Sequence, residues 1–122
     1  MTGKEIYRQA LALLNYSDAD GNATADADLH KRALALVNQI YADLWHISNS
    51  GQFHPLTALS NQIDLETQVL TNVMPYGVAM LIAQTDGDAD NQALYANLYN
   101  QRRPSARSRN DRIEDRQPRV FL

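Results

Sequence analysis

The sequence predicts an all-α protein, a small bundle of about four helices with a proline-broken central helix and an extended C-terminal arm. Three observations carry this. Apolar residues recur at steps of three and four from Leu29 to Trp45. A proline interrupts the most apolar stretch of the chain. Seven of the eleven basic residues lie beyond residue 100, and no segment of the body alternates polar and apolar residues as a strand does.

The 122 residues suit one domain. Thr2 and Glu5 form a capping box, so a first helix should run from there to about Leu14, with Ile6, Ala10, Leu13 and Leu14 on one face. Residues 15–25 read as a loop rich in Asn, Asp, Ser and Gly. Asp26 or Asp28 should start the second helix. Its face is Leu29, Ala33, Leu36, Val37, Ile40, Tyr41, Leu44 and Trp45, and it should end near Ile47.

The link from Gln52 to Gln62 should hold one helical turn at most, with Phe53, Leu56, Leu59 and Ile63 as anchors. Asp64 is expected to cap a third helix bearing Val69, Leu70 and Val73. Pro75 should kink or break it at Met74, since proline lacks the amide and crowds the preceding turn. Val78 to Ala83 is apolar on every face and should form the most buried helix. Asp88 or Asp90 should cap a last helix with Leu94, Tyr95, Leu98 and Tyr99 inward. Arg102 and Arg103 suit its C-terminal dipole, and Pro104 stops it. The expected division is a helical body at 1–103 and an arginine-rich arm at 104–122.

Residues 1–100 hold four basic and eleven acidic groups, net −7; residues 101–122 hold seven arginines and three acids, net +4. The arm has few apolar residues before Ile113 and Val120-Phe121-Leu122, so by itself it should be disordered and should order on a partner. The arginines suit either nucleic-acid phosphates or acidic and carbonyl groups on a protein. A solvated arm with no partner is the third reading. Asp111, Glu114 and Asp115 weaken the nucleic-acid option, and the apolar anchors favour protein docking.

No chemistry stands out. Cysteine is absent, which excludes disulfides, thiolate zinc sites and a cysteine nucleophile. Asp18, Asp20 and Asn22 resemble the opening of a calcium loop, but Ala23 and Leu29 occupy the positions that need glycine and a closing glutamate. The run from Asp86 to Asp90 fails likewise, with Asn97 at the closing position. His30, His46 and His54 lack zinc-site spacing. There is no nucleophile elbow or phosphate loop, so neither an enzyme nor a cofactor is expected. No signal peptide or membrane span is read from the sequence.

The stretch Ile63-Asp64-Leu65 through Val69-Leu70, then Val73-Met74-Pro75-Tyr76-Gly77-Val78-Ala79, then Leu94-Tyr95 with Leu98-Tyr99-Asn100, resembles the head–tail connector (adaptor) proteins of tailed bacteriophages. The resemblance covers residues 29–103 and rests on packing residues. Glu66 stands where that family often has proline. The resemblance implies a structural protein of the virion neck, made in the bacterial host cytoplasm. It implies a homo-oligomeric ring, usually of twelve subunits, that docks under the portal protein, meets a stopper or tail protein and passes DNA as transient cargo. Portal or neighbour contacts would then fall to Arg102, Arg103, Arg107, Arg109, Arg112, Ile113, Arg116, Arg119, Val120 and Phe121. The alternative from another class is a small regulatory protein that binds nucleic acid through its arginines.

Overall fold

Local capping signals decide where each helix begins and ends. The computed structural model describes residues 1–16, 27–48 and 51–107. Among these the protein is an all-α bundle: α1 (Gly3–Leu13), α2 (Ala27–Ser48), α3 (Thr67–Asn72), α4 (Met74–Thr85) and α5 (Ala89–Arg102), followed by a 3-10 turn at Arg103–Ala106. The α3–α4 pair is the broken central helix, so the rods number four as expected.

The capping box at α1 forms as read. Thr2 Oγ1 accepts from the Glu5 amide at 3.2 Å, and Glu5 Oε1 accepts from the Thr2 amide at 3.1 Å. The helix ends in a Schellman motif. The Tyr16 amide donates to the Leu11 carbonyl at 2.7 Å and the Asn15 amide to Ala12 at 3.0 Å, with Asn15 left-handed at φ 63°. The same device ends α4, where Gly87 (φ 73°) takes the left-handed position and Asp88 donates to Ala83 at 2.9 Å. Asp88 then caps α5 by accepting from the Asn91 amide at 3.2 Å. One short segment thus closes one helix and opens the next. Thr2→Ala should cost about 1 kcal/mol. A thermal melt showing no loss would mean that the box contributes nothing.

The described part of the link between α2 and α3, residues 51–66, forms no helix, and its expected anchors are seated: Leu56 and Ile63 are buried, Phe53 and Leu59 partly so. Asn38 behaves like a strand neighbour. Its amide nitrogen donates to the Leu56 carbonyl at 2.9 Å, and its oxygen accepts from the Leu56 amide at 2.8 Å. The link then crosses the start of α1. Gly3 and Lys4 amides donate to the Asn61 and Leu59 carbonyls at 3.2 and 2.8 Å, which satisfies groups a helix N-terminus leaves open.

Three expectations need correction. Asp64 does not cap the third helix. It is exposed, its amide donates to Tyr41 Oη at 3.1 Å, and α3 begins at Thr67 after an extended Glu66 that makes no side-chain cap. The break falls at Val73 (φ −123°, ψ −55°) rather than at Met74. Pro75 therefore sits in the first turn of α4, where its missing amide costs nothing. Leu94 points outward and is 49% exposed. The inner face of α5 is Tyr95 and Tyr99, with Leu98 partly buried against the core.

The central placement of α4 holds. It packs against α1, α2, α3 and α5. Met74, Val78, Ala79, Ile82 and Ala83 are fully enclosed, whereas Met80 is only half-buried. The turn at Asp18–Asn22 and the Asp26 position lie outside the described residues.

Candidate functional site

The sequence placed function at the arginine-rich end of the chain, and three of those arginines are described. Arg102 is exposed at the last position of α5. Its guanidinium carbon lies 4.2 Å from the centre of the Tyr76 ring, and Nη1 donates to the Asn72 carbonyl at 3.2 Å. A planar cation over an aromatic face next to a helix-terminal carbonyl suits arginine and not lysine.

Arg103 is held more firmly, and by the body itself. Nε donates to Asp43 Oδ2 at 2.6 Å and Nη2 to Oδ1 at 2.7 Å, a two-pronged pair across 60 residues of sequence. Tyr99 Oη donates to the same Oδ2 at 2.5 Å. Asp43 on α2 thus gathers two donors that lie one turn apart on α5 and the turn after it. Next to this, Ser48 Oγ donates to the Ala106 carbonyl at 2.8 Å, and Ala106 is buried. The residues just beyond Arg103 therefore pack on α2 as a 3-10 turn. Arg107 is exposed, and its amide donates to the Pro104 carbonyl at 3.2 Å. Arg109, Arg112, Ile113, Arg116, Arg119, Val120 and Phe121 lie outside the described residues.

The electrostatics follow from this geometry. The bond from Arg103 holds the Asp43 carboxyl below the usual aspartate range, against the opposing effect of burial, with Tyr99 and His46 helping to lower it. Burial, then the neighbouring carboxylate, pushes the Tyr99 hydroxyl far up, so it stays a donor. The bond to Asp43 raises Arg103 further. A carboxyl with a depressed native pKa adds stability at any pH above its unfolded value, about 3.9. That contribution disappears as pH falls through the lowered native value. Asp43→Asn should therefore flatten the acid limb of a stability–pH profile below about pH 4 and change its shape little near neutrality. Superimposable acid limbs in urea titrations would show that the pair is not linked to folding.

A second feature lies between α1 and the α3–α4 break. An open groove of about 400 Å³ is lined by Gln9, Ala12, Leu13, Thr71, Pro75 and Tyr76. Its mouth lies where α1 meets the α3–α4 break. Tyr76 connects the groove to the end of α5 through Arg102.

The aspartates of the α4–α5 turn serve the fold. Asp86 accepts from Tyr16 Oη at 2.9 Å, and Asp88 caps α5. Among the described residues no three His, Cys, Asp or Glu side chains group as metal ligands, and no helix is long and apolar enough to cross a membrane. Sequence reasoning missed Asp43, Ser48 and Ala106. The only local signal was the spacing of Tyr99 and Arg103, which puts both on one side of a helix. No protein-family model, curated protein or solved structure matches the chain.

Proposed function

We propose that this protein is a structural adaptor of a phage head–tail connector. In this reading identical subunits form a ring, of about twelve copies, beneath the portal. The ring extends the DNA channel and offers a platform to the next neck or tail component.

What carries the reading is the order of parts. A long helix is followed by an irregular link, then by a short helix and, after a break at Val73, an apolar helix with a proline in its first turn that is buried at the centre, then by a tyrosine-bearing helix with arginines beyond it. The charge split supports it. A body sequence of net −7 and a following segment of net +4 attract each other between subunits. Arginine pairs at an exposed rim contribute little lasting affinity, so Ile113, Val120 and Phe121 would supply the apolar contact. Ordering about fifteen residues costs roughly 1–2 kcal/mol each in backbone entropy, which such contacts must offset.

Arg102 and Arg103 already have partners within the body, so in this scheme they anchor the start of the arm as well as facing a neighbour.

The test compares the full chain with one ending after Arg107, a point that keeps Ala106 in place. Each is mixed with a portal ring from the same genome, and the particles are weighed. The full chain should add multiples of 13.7 kDa in a closed ring, and the shortened chain should stay folded and unbound. Normal assembly by the shortened chain would sink the role given to the arm. Tight, steeply salt-dependent DNA binding by the monomer would instead favour the nucleic-acid reading.

A further inference from the structure

The contact between the 3-10 turn and α2 differs in kind from the rest of the bundle. Ala106 is the turn's single buried apolar residue. Its bonds to α2 include the two from Arg103 to Asp43 and the one from Ser48 to the Ala106 carbonyl, all polar, and Ser105 Oγ donates back to the Arg102 carbonyl at 2.7 Å. The ion pair is open to water, with the two side chains 37% and 36% exposed. Tyr99, by contrast, is buried and ties Asp43 to α5 whether or not Arg103 is present. A segment held by few apolar contacts and water-accessible bonds opens at lower free energy than the core it rests on.

We propose that Asp43, Tyr99 and Arg103 form a latch that fixes the root of the C-terminal segment on α2 and opens with the bundle intact. Tyr99 keeps the Asp43 carboxylate aimed, and Arg103 is the moving part. Opening releases the five residues 103–107 from α2, about 17 Å of chain when extended. It also frees the Arg103 guanidinium for an acidic partner. The latch stands on its own geometry, and its use in assembly rests on the connector reading.

Hydrogen exchange on the full chain, without any partner, tests the latch separately from that reading. In the wild type the Ala106 and Arg107 amides should be protected, yet exchange faster than those of α4. Arg103→Gln leaves the bond between Tyr99 and Asp43 in place. It should speed exchange at Ala106 and Arg107 about tenfold, the effect of losing a charged hydrogen bond, with α4 unchanged. Asp43→Asn should act in the same direction, and so should added salt, which screens an exposed pair. Exchange at these amides that is unprotected in the wild type, or unaltered in both variants, overturns the proposal. Loss of α4 protection along with the turn in both variants also overturns it, because the turn would then be an inseparable part of the bundle.

Discussion

Ile82→Asp should leave no cooperatively folded protein. Ile82 is fully enclosed in α4, the helix that every other helix touches. The substitution removes an apolar side chain worth about 2–5 kcal/mol in a core and replaces it with a charge. Burying that charge without a partner costs several kcal/mol more. No charged residue is buried among those described, so the core holds no buried cation to pair with it. Together these effects rival the 5–15 kcal/mol that typically holds a domain of this size. Circular dichroism should show weak helix signal and no melting transition. Met80→Asp is the matched control. Met80 is half-buried on the same helix, so its charge can reach water and the transition should survive at a lower temperature. An Ile82→Asp protein that melts like the wild type would displace α4 from the centre.

Gly77→Val should lower the melting temperature by roughly 10–20 °C, the equivalent of about 3 kcal/mol in a body of about 100 residues. A Cβ at this position would lie 2.8 Å from Cε1 of Tyr99 and 2.9 and 3.0 Å from two carbons of Ile40. Here α4 has no room for a side chain between α2 and α5. Ile40 Cδ1 can rotate away, but the Tyr99 ring cannot easily do so, because its hydroxyl is bound to Asp43. Alanine gains about 1 kcal/mol of helix propensity over glycine, while overpacking costs about 1–3 kcal/mol, so Gly77→Ala should be mildly destabilising. Valine adds two further methyl groups in the same space and lacks alanine's propensity. An unchanged melting temperature for the valine variant would mean that the three helices cross less closely than this.

Local physical chemistry decided much of this protein, and the sequence alone made that part legible. The Thr2–Glu5 box, the Asp88 cap and the three- and four-residue steps of α2 act between residues a turn apart, so they can be read before any fold is known. The all-α class and the central apolar helix follow from them, because a helix apolar on all sides has to be covered by others. Pro75 marked the break, but only the fold chose Val73 for it, placing the proline where its missing amide does no harm. Asp64 and Leu94 show where local reading ended. Asp64 had the right residue type for a cap, but the Tyr41 hydroxyl holds its amide and the link stays extended past it. Leu94 has the right spacing, but two tyrosines reaching Leu13 and Asp43 set the rotation of α5 and turn it outward. The Asp43–Arg103 clasp was hidden for the same reason. Its partners are 60 residues apart, and no periodicity links two charges that meet only because α2 and α5 both pack on α4.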